Sequence, residues 1–189
     1  MRTSTRIAFV GASAWAAVTW HLGEAQPTAG EDSQQILTVD HYVPNVSIVP
    51  AIDGQIVQLY VRERVKPATV QRGAPHDDRV VLFVHGAGTP AEVAFDVPVR
   101  DYSWMAYLAA AGFDVFSMDV TGYGRSTRPH VMNDVCNLSA EQQAALGRTP
   151  CKATHTAQLT TIASDWDDID AVVDYIRDLR DVPRVSLVA

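Results

Sequence analysis

The sequence predicts an α/β domain built on a parallel sheet. Three observations predict it. Val80 to Val84 is an unbroken apolar run, the mark of a strand buried on both faces. A helical stretch and a second strand, Phe113 to Met118, follow it. A second helix then leads into the apolar segment Arg184 to Ala189.

Residues 1–25 read as a secretory signal. Arg2 and Arg6 form a basic start, Ile7 to Trp20 an uncharged and mostly apolar stretch, and Gly23-Glu24-Ala25 a small-residue site with cleavage after Ala25. The alternative is an uncleaved anchor. Its apolar run covers 14 residues, 7 to 20, short of the ~20 that span a bilayer. The expected location is therefore secreted or periplasmic. The whole chain of 189 residues has 15 basic and 22 acidic residues, a net charge of −7. Cleavage would leave 13 and 21, a net of −8. With no basic tract, a nucleic-acid partner is not expected.

Residues 26–35 form a polar linker, and residues 36–189 the domain. Ile36 to Val43 and Gln55 to Val65 read as strands, with Asp53-Gly54 as a turn between them. In the second, Ile56, Gln58, Tyr60, Arg62 and Arg64 fall on one face. Val57, Leu59, Val61 and Val65 fall on the other, interrupted by Glu63. This predicts an opening antiparallel hairpin. Lys66 to Asp78 is a polar connector before the Val80 strand. Tyr102 to Ala111 reads as a helix, capped by Asp101 and closed by Gly112.

Residues 127–157 have no clear period and read as an excursion, with a helical stretch near Ala140 to Leu146. They hold Cys136 and Cys151, 15 residues apart. After export the two are expected to form a disulfide, worth roughly 3 kcal/mol on the chain-entropy model; free thiols are the alternative. Ser164 then caps a helix with Asp165, Asp167 and Asp168 in its first turn, where the helix dipole favours negative charge. Trp166, Ile169, Val173, Ile176 and Arg180 share its helical spacing, and Asp181-Val182-Pro183 ends it.

Chemistry concentrates at two strand ends. His85-Gly86-Ala87-Gly88 follows the Val80 strand, and its glycines allow a sharp turn with free amides pointing into a crevice. Such amides suit a developing oxyanion. Asp119, Gly122, Gly124 and Ser126, in Asp-x-x-Gly-x-Gly-x-Ser, follow the next strand.

These motifs, 34 residues apart from 85 to 119, resemble those of the α/β-hydrolase superfamily, and the resemblance covers residues 36–189. It implies the N-terminal half of an α/β-hydrolase sheet: an opening antiparallel hairpin, then parallel strands with crossover helices. It implies that the Ala87 backbone N–H is an oxyanion-hole donor, with Gly88 able to share the role. His85, Gly86, Asp119, Gly122, Gly124 and Ser126 are implied to be structural. The nucleophile would follow the strand at Arg184 to Ala189, in Gly-x-Ser-x-Gly or a close variant, with its acid and His further on. No residue of this chain is expected to be the catalytic serine, acid or base; His41, His76, His130 and His155 read as exposed loop histidines.

The resemblance therefore implies an N-terminal fragment of an exported hydrolase, acting in the intact parent on a small-molecule, ester-like substrate with no cofactor. Two alternatives stand beside it: an inert truncated product, and one half of an assembly completed by a C-terminal half. A third reading is a NAD-binding fold, since Gly86-Ala-Gly88-Thr-Pro-Ala91 fits G-x-G-x-x-A. It fails because a loop to about Asp101 separates the glycines from a helix, and Asp119 lies 33 residues on instead of ~20. The acids at 165, 167, 168 and 170 read as a solvated helix start and not as a metal site. Asn45-Val-Ser47 and Asn137-Leu-Ser139 match glycosylation acceptors.

Overall fold

A computed structural model describes residues 35–70 and 78–189. The signal at 1–25, the linker up to residue 34 and His76 lie outside the described residues.

The alternating segments form the hairpin. Strands β1 (Leu37–Val46) and β2 (Ile56–Val65) pair antiparallel, from Leu37 opposite Val65 to Val46 opposite Ile56. β1 thus runs on past Val43. Gly54, at a φ of 74°, turns the connection and donates its N–H to the Ser47 carbonyl. Tyr60 departs from the predicted pattern: it lies on the polar face, yet is buried. Its ring packs on Tyr42 and under the Arg125 guanidinium, and its hydroxyl donates to Asp40 at 2.7 Å.

β3 (Val80–Val84) and β4 (Asp114–Met118) pair in parallel, and β5 (Ser186–Val188) joins β3 on its other side. The sheet order is β1-β2-β4-β3-β5. The chain therefore leaves β3 first to one side and later to the other, which opens a crevice at its carboxyl end. Every residue of β3 is buried, as its unbroken apolar run requires.

The described helices are α1 (Ala91–Phe95), α2 (Trp104–Ala110), α3 (Ala140–Ala145) and α4 (Ile162–Arg180). Val80, Leu82 and Val84 share a core with Val172 and Ile176 of α4; Val81 and Phe83 share one with Met105 and Ala109 of α2. Burying each such side chain contributes about 1.5–3 kcal/mol. No helix among the described residues is long and apolar enough to cross a membrane.

The helix starts differ from the sequence reading. α2 begins at Trp104 because Ser103, not Asp101, caps it: Ser103 Oγ accepts the Ala106 N–H and donates to buried Asp96 at 2.6 Å. α4 begins at Ile162 because Thr161 is the cap. Ser164 sits three residues in, and its Oγ accepts the Thr161 N–H, a capping box. The buried face of α4 is consequently Ser164, Asp168, Val172 and Ile176, and Trp166 is 61% exposed.

Candidate active site

The two strand-end motifs face each other across the carboxyl ends of β3 and β4. His85 stands just past β3, with both ring nitrogens engaged by backbone. Nε2 accepts the Val120 N–H at 3.3 Å, so Nδ1 carries the proton and donates it to the Gly86 carbonyl at 2.9 Å. A ring held this way has no lone pair left for a base. It ties the turn after β3 to the turn after β4.

Asp119 does the same from the other side. Its Oδ1 accepts the Ala91 N–H at 2.8 Å and its Oδ2 the Arg125 N–H at 3.0 Å. Gly124 makes room for it. Its φ is +46°, and a Cβ there would fall 1.8 Å from Asp119 Oδ2. Ser126 is buried: its hydroxyl donates to the Asp119 carbonyl at 2.5 Å and accepts the Tyr60 N–H at 2.8 Å. Gly122, at φ +94°, packs beside Met132. At the first motif the glycines differ. Gly88 has φ +97°, whereas a side chain on Gly86 would meet nothing within 4 Å.

Ala87 and Gly88 part company here. The Gly88 N–H points to the Tyr123 hydroxyl at 3.3 Å. The Ala87 N–H meets no acceptor among the described residues, and Ala87 lines a crevice of about 220 Å³. His85, Gly86, Tyr123, Thr160 and Asp165 line it too. The Tyr123 ring stacks obliquely on His85, with centroids 4.6 Å apart.

Tyr123 carried no motif signal, because it occupies a variable position of the Asp119 pattern. Asp165 is half-buried; burial, then the neighbouring Asp168 charge, raises its carboxyl above the ordinary value. Asp168 corrects the picture of a solvated acidic start. It is 2% exposed and accepts the Thr121 N–H at 2.7 Å, so it anchors α4 beneath the site.

α1 also revises one argument. A helix does start at Ala91, at the end of the Gly86–Ala91 pattern, and not beyond Asp101. The Asp119 carboxylate takes its first N–H, so a buried acid stands where a dinucleotide's pyrophosphate would need to sit.

The excursion after the Asp119 turn forms the far wall. Cys136 and Cys151 are joined by a disulfide, which fits an oxidising compartment. Gln143 of α3 is its hub: its side chain donates to the Leu138 carbonyl and accepts the Cys151 N–H. Neither glycosylation pattern is free. The Asn45 amide donates to Asp167 at 2.9 Å beside buried Ser47, and Asn137 bonds Val131, Thr154 and His155.

His41 is not a loop histidine. It lies in β1, its Nε2 2.8 Å from Glu63 and its Nδ1 2.9 Å from the Tyr175 hydroxyl. His155 is half-buried, and His130 is exposed at the start of a short 3₁₀ turn. Among the described residues no serine hydroxyl hydrogen-bonds a histidine ring.

A central parallel strand ending in a His-Gly turn, locked to an Asp-x-x-Gly-x-Gly-x-Ser turn, defines a hydrolase-type scaffold. Residues 81–189 match the sequence profile of the alpha/beta hydrolase family, and the chain belongs to that family. No curated protein matches the sequence.

Proposed function

We propose that residues 36–189 supply the oxyanion side of an acyl-hydrolase site in an exported protein. The Ala87 N–H is the donor that receives the charge developing on an ester carbonyl. The observation that carries this reading is an amide with no acceptor among the described residues, lining the crevice at the carboxyl end of β3. Gly88, engaged with Tyr123, shapes the turn and holds Tyr123 in place. No cofactor enters the chemistry. The serine, acid and histidine are ones these residues do not contain, and a second half of the fold would present the serine beside Ala87.

The test supplies that half. The mature protein, mixed with the C-terminal half of an alpha/beta hydrolase, should hydrolyse p-nitrophenyl butyrate. A fluorophosphonate should then label the supplied serine and no serine of this chain. Labelling within residues 36–189 would overturn the assignment. Export is checked separately, by N-terminal sequencing of the recovered protein, which should begin at Gln26.

A further inference from the structure

A second cavity, of about 670 Å³, adjoins the Ala87 crevice and shares Tyr123, Gln158 and Thr160 with it as a common wall. Among the described residues Arg128 is its single charged lining residue. The side chain is exposed, and its guanidinium is held by neutral groups and not by a carboxylate. It donates to Asn133 Oδ1 at 2.9 Å, to the Gly122 carbonyl at 3.3 Å and to the Met132 carbonyl at 3.4 Å, three neutral acceptors. Among the described residues Arg128 forms no ion pair. Arg62, Arg125 and Arg180, by contrast, each meet carboxylates. Arg79, Arg100 and Arg148 are unpaired as well, but none of them lines these cavities.

A guanidinium carries five N–H groups, and these three contacts leave some of them over. A planar fork fixed in advance loses little freedom when an oxyanion docks. The rest of the lining is neutral, with Met132 and Leu159 supplying apolar surface. On a chain of net charge −7, such a cavity is a local positive site in an acidic field.

We infer that Arg128 selects substrates bearing a carboxylate: esters whose far end is anionic, with the scissile carbonyl at Ala87 and the carboxylate across Tyr123. The inference rests on the acyl-hydrolase reading of the Ala87 crevice, but its test needs no catalysis. Monomethyl glutarate and its neutral relative, dimethyl glutarate, are titrated into the mature protein by calorimetry. The monoester should bind at least about tenfold tighter, in line with a charge-assisted hydrogen bond. In Arg128→Gln the two should bind alike. Gln158→Glu leaves Arg128 in place but sets a carboxylate in the same cavity, and it should erase the preference equally, with an unchanged melting temperature.

Equal binding of the two esters to the unaltered protein would overturn the assignment. So would a preference that survives Arg128→Gln. Inorganic phosphate that displaces the monoester at lower concentration than the monoester itself requires would overturn the choice of carboxylate. A negative labelling result beside an intact charge preference would instead overturn the hydrolase reading, so the two failures are distinguishable.

Discussion

β4 carries a buried aspartate at each end, and the two are stabilised in opposite ways. Asp119, past its carboxyl end, is 1% exposed and bonded by two backbone amides, from Ala91 and Arg125. Asp114, its first residue, is fully buried and bonded by charge: Arg180 Nε donates to it at 2.5 Å. The same Arg180 donates to buried Glu63 at 2.6 Å, and Glu63 also meets His41. Burial would raise the Glu63 carboxyl, but the His41 hydrogen bond and the Arg180 charge hold it below its ordinary value. Asp114 is pushed up to about 7, by burial and then by the Glu63 charge.

Amides are fixed by the fold and carry no titrating proton, so the partners that hold Asp119 do not change with pH. Ion pairs balance only while both partners are charged, so the opposite end is sensitive to pH. The fold has put its candidate chemistry at the first end and an electrostatic clasp between β2, β4 and α4 at the second.

The comparison can be broken from either side. Gly124→Ala should have the largest effect. The added methyl meets the Asp119 carboxylate at a left-handed position, so the amide-held turn must shift. A loss of about 4 kcal/mol or more is expected by urea unfolding.

At the other end, Arg180→Met strands two buried acids and should cost about 3–5 kcal/mol at pH 8. The cost should shrink at pH 5, as Asp114 takes up a proton.

The disulfide comes next. Replacing both Cys136 and Cys151 by serine should cost roughly 3 kcal/mol. It should also open residues 128–160 to proteolysis ahead of the sheet.

The smallest effect is the most diagnostic of the difference between the ends. With its folded-state value raised above the unfolded 3.8, Asp114 binds a proton more readily in the folded state. Its contribution therefore falls as pH rises from about 4 through 7. Asp114→Asn should be neutral near pH 5 and stabilising by on the order of 1 kcal/mol at pH 8. Melting curves at the two pH values read it directly.

The end held by amides was the legible one. His85, Gly86, Asp119, Gly122, Gly124 and Ser126 stand in local motifs, and a turn that needs a left-handed glycine or a buried acid writes itself into consecutive residues. β3 was legible because burial on both faces leaves no polar position in the strand. The clasp was not. Glu63 showed only as a flaw in the β2 alternation, and its partners lie in another strand and at the far end of α4; pairings across such distances leave no periodic trace. Tyr123, Gln158 and Arg128 were missed for a related reason. They line cavities formed when the excursion folds back, and nothing near them in sequence marks that return. Ser164 reads as a cap because this capping box carries a hydroxyl at both ends, and Thr161 holds the first position.

The central claim is that the Ala87 amide, past the carboxyl end of β3, stabilises an oxyanion. The direct measurement is steady-state hydrolysis of p-nitrophenyl butyrate by the reconstituted two-part enzyme carrying Ala87→Pro, which removes that N–H. The predicted result is a fall in kcat of about 10²–10³ with little change in KM and a normal melting temperature. A kcat within about twofold of the unaltered protein would contradict the account, because the loss of a working oxyanion donor has to appear in that constant.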